Sequence, residues 1–195
     1  MNTRLASWAV TATLVLACSP ASALVLLNTN TLGNTVATDY SAPGLLSFDI
    51  DFNDRAPITL AYTVEAADLL APITFNAIFR NLTGLGQNSY GLSLSGGNFD
   101  TVGSVTRFFG GSTALSGTPQ NLALNFNTPE FFDVQLGDPL ANNALANNWL
   151  LNLSGLQAGS TFRITATVPE PSTYALMFGA LGLLGWTTVR RQSRR

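Results

Sequence analysis

The sequence predicts an all-β fold, an antiparallel β-sandwich of the Ig-like or jelly-roll type, over residues 24–168. Two observations predict it. Apolar and polar residues alternate with a period of two over short runs, so that each run places one face in a core. Glycine, proline and asparagine lie between these runs, and no long helical pattern interrupts them. Residues 138–148 could form one short helix at most.

The first of these runs shows the alternation most clearly. Phe48, Ile50 and Phe52 fall on one face of the predicted strand, and Asp49 and Asp51 fall on the other. About nine or ten short strands in one domain favour two packed sheets. The further runs lie at residues 58–64, 73–79, 92–95, 105–109, 122–126, 132–136, 149–153 and 162–168.

The N-terminal segment, residues 1–23, has the order of a secretory signal peptide. Arg4 supplies the positive start, and residues 6–17 are mostly apolar. Ala21 and Ala23 are the small residues that a signal peptidase accepts at its cleavage site. We therefore expect cleavage after Ala23, with signal peptidase and the secretion machinery as partners.

Composition excludes several kinds of catalytic site. The chain has one cysteine, Cys18, which lies inside the predicted signal peptide, and it has no histidine and no lysine. Ser-His-Asp and Cys-His arrangements therefore cannot form, and Schiff-base chemistry at lysine is excluded. We expect no cofactor and no enzymatic activity. Cys18 also leaves one alternative for the N-terminus, a lipoprotein signal acylated at this residue, although Leu16 is large for such a signal.

Charge is distributed unevenly along the chain. Between residues 24 and 168, four arginines stand against ten acidic residues, which gives this part a net charge of −6. An acidic surface repels phosphate backbones, so we expect no nucleic-acid partner.

The C-terminal segment, residues 169–195, has three parts in order. Pro169, Glu170 and Pro171 come first, and they favour a stiff, extended peptide because each proline restricts itself and the residue before it. Residues 173–189 then carry no charge, and their number is at the short limit for a transmembrane helix. The positive-inside rule places the basic end in the cytoplasm and the rest of the chain outside. This basic end contains Arg190, Arg191, Arg194 and Arg195.

Together, these three parts resemble the PEP-CTERM sorting signal of Gram-negative bacteria, which exosortases recognise. The resemblance is confined to residues 169–195. It implies that Pro169, Glu170 and Pro171 are the recognised tripeptide, and that the apolar span and the arginines retain the protein in the inner membrane. Exosortases are polytopic membrane enzymes proposed to act as cysteine transpeptidases, so this chain would be the substrate. A plain tail anchor with a proline-containing linker is the alternative.

A calcium site is a weak candidate in the first predicted strand. Asp49, Asp51 and Asn53 offer oxygen ligands at alternating positions, as in the opening of a calcium loop. The full pattern fails, because Asp54 stands where the loop needs glycine and Leu60 stands where it needs glutamate. We favour a solvated strand face and expect no metal.

Two further sets of residues leave alternatives open. Glycoside hydrolysis needs a pair of carboxyl groups in one cleft. The candidates are Glu65, Asp68, Glu130 and Asp133. Sugar binding needs aromatic rings that face solvent, although aromatic residues of a sandwich more often lie in its core. The candidates for such a platform are Tyr40, Tyr90, Phe99 and Trp149.

The sequence thus favours a non-catalytic exported protein of the cell surface or the extracellular matrix, with an exosortase as its processing partner. We expect a transient intermediate in the inner membrane, followed by delivery to the surface or matrix. A carbohydrate-binding or adhesin module of the exopolysaccharide matrix is the second hypothesis, and a glycoside-active enzyme is a remote third.

Overall fold

The computed structural model describes residues 24–169. Within this range it contains thirteen strands and one short 3-10 helix, Ala66–Leu69, so the all-β prediction is confirmed. The strands are β1 Val25–Asn30, β2 Thr35–Asp39, β3 Leu45–Phe52, β4 Ile58–Thr63, β5 Ile73–Asn81, β6 Gln87–Ser95, β7 Asn98–Thr101, β8 Val105–Arg107, β9 Thr113–Thr118, β10 Asn121–Glu130, β11 Asp133–Leu136, β12 Trp149–Asn152 and β13 Thr161–Thr167.

The strands form two sheets. The first has the order β1-β4-β13-β6-β10-β9, and all of its pairs are antiparallel. The second has the order β2-β3-β5-β11-β8, with β12 pairing with both β5 and β7. Here the antiparallel prediction is wrong for one pair, because β3 and β5 are parallel. The intervening strand β4 lies in the other sheet, so the chain returns to the second sheet in its original direction.

Both sheets turn their apolar faces towards one shared core. Rings from the two sheets meet there: Phe52 of β3 and Phe79 of β5 both contact Tyr90 of β6, with centroids 5.3 and 5.4 Å apart. The predicted alternation holds in β3, where Phe48, Ile50 and Phe52 are fully buried. The two-sheet arrangement therefore follows from the period-two pattern, whereas its Ig-like or jelly-roll type stays a prediction.

Four strands do not correspond to a predicted run, namely β1, β2, β7 and β9. All four pair with a single neighbour and so lie at sheet edges, and β9 in particular is mostly exposed, so its sequence has little reason to alternate. The short helix considered for residues 138–148 does not form. This segment is a loop, in which the carboxylate of Asp138 accepts hydrogen bonds from the backbone N–H groups of Asn142 and Asn143.

The sandwich has two ends, and the chain leaves the described residues at one of them. We call this the exit end, because β13 finishes there at Thr167, opposite Gly91 of β6. The register places at the same end the start of β6, the ends of β3, β5, β8 and β10, and the start of β11. The loops 53–57, 82–86 and 108–112 and the link 131–132 therefore lie at the exit end. We call the opposite end the far end.

Two predicted segments lie outside the described residues: the signal peptide, residues 1–23, and the membrane helix, residues 173–189. Within residues 24–169, no helix is long and apolar enough to cross a membrane.

Candidate functional site

The two aspartates of the calcium candidate contact an arginine. Asp49 and Asp51 project from the outer face of the second sheet, and the guanidinium of Arg80 on β5 donates hydrogen bonds to both carboxylates. The parallel register brings the three residues together, since Asp51 lies opposite Arg80. The expected solvated face is wrong for Asp49, which is buried beside this arginine.

The third member of the calcium candidate points elsewhere. The side-chain amide of Asn53 donates to the carbonyl oxygen of Gly33 and to the hydroxyl of Thr35. Within residues 24–169, no group of three or more histidine, cysteine, aspartate or glutamate residues could hold a metal ion. The positive charge between Asp49 and Asp51 is therefore supplied by Arg80.

Desolvation affects two carboxyl groups near this arginine. Burial raises the pKa of Asp49 above its usual value, and the neighbouring Arg80 opposes the increase. Burial likewise raises the pKa of Asp133, which lies opposite Arg80 on β11, and Arg80 again acts in the other direction. These shifts make the protonation of the cluster part of the folding equilibrium.

The four carboxyl groups considered for glycoside hydrolysis divide between the two ends of the sandwich. Glu65 and Asp68 follow β4 at the far end, where the Asp68 carboxylate accepts a hydrogen bond from the backbone N–H of Glu65. Glu130 and Asp133 flank the link from β10 to β11 at the exit end. The structure therefore brings them together only as two separate pairs.

Glu130 belongs to a buried ion pair for which the sequence gives little signal. Its Oε2 lies 3.2 Å from Nε of Arg107, and the two side chains are 0% and 1% exposed, respectively. The second carboxylate oxygen of Glu130 accepts the N–H groups of Phe131 and Phe132. A buried charge needs such a full set of partners, because desolvation is otherwise too costly.

The rest of the Arg107 guanidinium is also bonded. It donates to the side chain of Asn127 at 2.9 Å and to the carbonyl oxygen of Thr128 at 2.7 Å. Its carbon lies 4.7 Å from the centroid of the Phe126 ring. The pair therefore fixes the end of β8 against the end of β10.

Three of the four aromatic residues considered for sugar stacking are in the core. Tyr90 and Trp149 are 0% exposed and Phe99 is also buried, so a platform that uses them is wrong. Trp149 packs edge-on against Phe75 and Phe99 and donates its indole N–H to the carbonyl oxygen of Ser104. Tyr40 differs, because 56% of its surface is exposed.

Tyr40 borders a groove on the outer face of the second sheet. The groove has a volume of about 650 Å³, and the 137–148 loop forms one of its walls. Asn76 lies in its floor, buried, with Oδ1 lacking a hydrogen-bond partner. Asp138 and Asn148 add polar groups from the loop.

A second surface feature lies at the exit end. Seven apolar side chains are 48–65% exposed at this end, and one of them, Leu32, lies apart in the loop 31–34. We call the other six the apolar tip: Leu82, Leu85, Phe108, Phe109, Phe131 and Phe132. Three of the rings contact one another, since Phe108 lies 5.2 Å from Phe109 and from Phe132, and Phe109 lies 5.1 Å from Phe132. Sequence reasoning missed this feature, because 105–109 and 132–136 were predicted as strands.

The C-terminal segment leaves the sandwich beside this tip. Among residues 24–169, Val168 is the last that is buried, and Pro169 follows directly and is exposed. The other residues predicted to act in sorting and export lie outside the described residues. They are Glu170, Pro171, Arg190, Arg191, Arg194, Arg195, Ala21 and Ala23.

Comparison with known proteins identifies the C-terminal segment. A family model described as the PEP-CTERM protein-sorting motif matches residues 167–195. No curated protein and no solved structure matches the chain. The motif implies an exosortase as the processing partner and an exported protein sorted towards the cell surface. The chain thus carries a PEP-CTERM protein-sorting motif at its C-terminus, beginning at the last residue of β13.

Proposed function

We propose that this protein is a non-catalytic component of the cell surface or extracellular matrix, delivered there through exosortase processing. The leader, residues 1–23, directs export, and residues 173–189 hold the chain in the inner membrane. The four terminal arginines stay in the cytoplasm. The exosortase acts near Pro169, Glu170 and Pro171, and the released sandwich, of Ig-like or jelly-roll type, joins the surface or matrix.

The match of residues 167–195 to the sorting motif carries this proposal. The geometry of the exit supports it, because Pro169 is exposed immediately after a strand that is paired on both sides. A cut on the C-terminal side of Pro169 therefore removes no residue of the sheet. The last strand of the described domain therefore ends before the residues at which processing is proposed.

The non-catalytic part of the proposal depends on chemistry. The chain has no histidine or lysine, and its single cysteine lies in the leader. Of the remaining candidates, Glu130 has both carboxylate oxygens occupied and is inaccessible to a substrate. No cofactor is proposed, and no metal.

Alanine replacement of Pro169, Glu170 and Pro171 tests the sorting proposal. We expect the variant to accumulate as an unprocessed, membrane-retained chain, because the enzyme reads the stiff tripeptide. Immunoblotting of membrane, surface and medium fractions measures the result. Alanine replacement of Ser172 and Thr173 is the matched control and should leave processing intact. Unchanged size and export of the tripeptide variant would establish a plain tail anchor instead.

The groove beside Tyr40 favours a second candidate, binding of the exopolysaccharide matrix. An exposed tyrosine ring and the polar groups of Asn76, Asp138 and Asn148 are the combination that stacks on and hydrogen-bonds to a sugar. Affinity electrophoresis in gels containing the matrix polymer tests it. Retardation should be lost in Tyr40→Ala and kept in Leu145→Ala, which removes an exposed leucine outside the groove. If the wild type and both variants migrate equally with and without polymer, sugar binding is contradicted.

A further inference from the structure

The apolar tip has the size and position of a contact surface. Scattered exposed apolar residues are ordinary on a monomer, and the far end has such residues in Leu70 and Leu145. The tip differs because three of its rings cluster and its six side chains come from three parts of the chain at one end of the sandwich. These are the loop 82–86, the residues that follow β8, and the link from β10 to β11.

The tip stands on a rigid base. Arg107 immediately precedes Phe108, and Glu130 immediately precedes Phe131, so the buried ion pair lies directly beneath the exposed rings. The Glu130 carboxylate also accepts hydrogen bonds from the backbone N–H groups of Phe131 and Phe132. Apolar rings on such a base remain presented to solvent, because the backbone that carries them cannot easily turn them inward.

Chain length limits how far the tip can be from the apolar segment of the tail. Only three residues lie between Pro169 and Thr173, where that segment begins, so the four Cα–Cα steps from one to the other span no more than about 14 Å. Within the first sheet, β6 lies between β13 and β10, so the ends of β13 and β10 are about 10 Å apart across the strands. Thr167 lies opposite Gly91 and Glu130 lies opposite Gln87, so the end of β10 projects about 13 Å further along the strand direction. The linker is therefore long enough for the tip and the start of the apolar segment to reach one flat surface together.

We propose that the apolar tip inserts into the outer surface of the inner membrane while the tail holds the protein there. This rests on the proposed anchoring of residues 173–189. Phenylalanine and leucine side chains favour the boundary between lipid headgroups and acyl chains. Insertion of the tip there would add a second point of attachment to the one that the tail provides. The loop 53–57, with Asp54 and Arg55, lies on the other side of β13, so the domain tilts towards the tip.

The contact gives the sorting segment a defined orientation. With the tail and the tip both at the membrane surface, Pro169 to Pro171 lie in the interface, within reach of an enzyme embedded in the same bilayer. After the cut the tail no longer holds the domain. The tip alone then provides weak, reversible attachment, which suits onward delivery to the surface.

Site-specific fluorescence quenching tests the proposal on the full chain. The protein is expressed with its own leader and Cys18→Ser, purified, and reconstituted into vesicles of phosphatidylethanolamine and phosphatidylglycerol. Single cysteines at Phe109→Cys and Phe132→Cys receive an environment-sensitive fluorophore, and lipids with a nitroxide near the headgroup act as quenchers. Leu70→Cys and Leu145→Cys are the matched controls, since both are exposed leucines at the far end.

We expect the lipid nitroxide to quench the tip labels at least ~3-fold more than the far-end labels, because inserted side chains lie about 5–10 Å below the surface. A reference label at Ser172→Cys reports the tail. If Ser172 is quenched and the tip labels behave like the controls, the tip proposal is wrong while anchoring stands. If Ser172 is not quenched either, the anchoring itself fails.

A second variant guards against misfolding of labelled proteins. Phe108→Ser, Phe109→Ser and Phe132→Ser together should preserve the circular dichroism spectrum and cooperative unfolding, since about half or more of each ring is exposed. They should abolish quenching of a label at Leu82→Cys. Persistent quenching at Leu82 overturns the proposal. The proposal is also overturned if the fluorescence of the tip labels changes only when the sorting enzyme is present in the vesicles. That result would make the tip a protein-docking surface.

Discussion

At the scale of single residues, the pair of Arg107 and Glu130 is the contact on which the exit end depends. Replacing Arg107 with Met leaves the Glu130 carboxylate buried without its counter-charge. We expect the free energy of unfolding to fall by about 3–5 kcal/mol, the usual cost of breaking a buried pair. Urea unfolding of the exported chain, followed by circular dichroism, measures the loss.

The matched control for this change is Arg163→Met. Arg163 is an exposed arginine of β13, so its replacement should alter the free energy of unfolding by less than about 0.5 kcal/mol. A loss of similar size in both variants would show that the two arginines act through general charge rather than through the buried contact.

The aspartates around Arg80 predict an unusual response to acid. Burial raises the pKa of Asp49 and of Asp133 above the usual 3.8, so each binds a proton more tightly when folded. Their contribution to stability is therefore fully present below 3.8 and is lost as pH rises through the raised pKa values. Acidification from neutral pH towards 3.8 should stabilise the fold through these two groups.

Comparison with Asp49→Asn/Asp133→Asn isolates this contribution. Thermal unfolding of both proteins across that pH interval should show the wild type gaining stability relative to the variant as pH falls. A difference that stays constant, or that changes in the opposite direction, contradicts the assignment. Asp54→Asn, in the exposed part of the loop 53–57, serves as the control for loss of a charge.

At the scale of elements, β13 joins the domain to the sorting motif. It pairs with β4 on one side and β6 on the other, and its inward residues Phe162, Ile164 and Ala166 are fully buried. A chain that stops at Ser160 should therefore fail to fold, because β4 and β6 each lose a partner. A chain that stops at Pro169 should melt at the same temperature as the full protein.

Limited proteolysis and circular dichroism of the two truncated chains measure this difference. A protease-resistant chain ending at Ser160 would show that β13 is dispensable. The motif would then have no structural reason to begin where the sheet ends.

The alternating sequence pattern predicts some strands of this fold and not others. Strands that direct apolar side chains into the core and polar or small ones away from it, such as β3 from Leu46 onwards and β4, alternate and can be predicted with nearly correct bounds. Edge strands such as β1 and β9 are mostly exposed, so nothing selects for an alternating pattern in them. The parallel pairing of β3 with β5 is likewise invisible in the sequence, because it depends on which sheet β4 joins.

At the scale of the whole molecule, the two ends of the sandwich have different surfaces. The exit end carries the apolar tip and the start of the sorting motif, and the outer face of the second sheet carries the groove beside Tyr40. A domain held by its tail would direct the exit end at the membrane and leave the groove accessible. The proposed membrane contact and the proposed matrix contact would therefore use separate surfaces.

Intact mass spectrometry of the protein from the cell surface and the medium tests the whole route. We expect a chain that begins at Leu24 and ends between Pro169 and Thr173, with the mass of any attached polymer added. A released protein that retains residues 173–189 contradicts processing. A product that begins at an acylated Cys18 would show that the leader is a lipoprotein signal.

The sequence by itself determined the all-β class and the sorting motif. Both are local patterns: alternation is set by the geometry of a single strand, and the motif is a contiguous stretch read by another protein. Only the tertiary structure decided that Tyr90 and Trp149 are core residues, that Arg80 lies between Asp49 and Asp51, and that exposed phenylalanine rings from two parts of the chain meet at the exit end. These features join residues far apart in the chain, and their physical cause is the order and register of the strands.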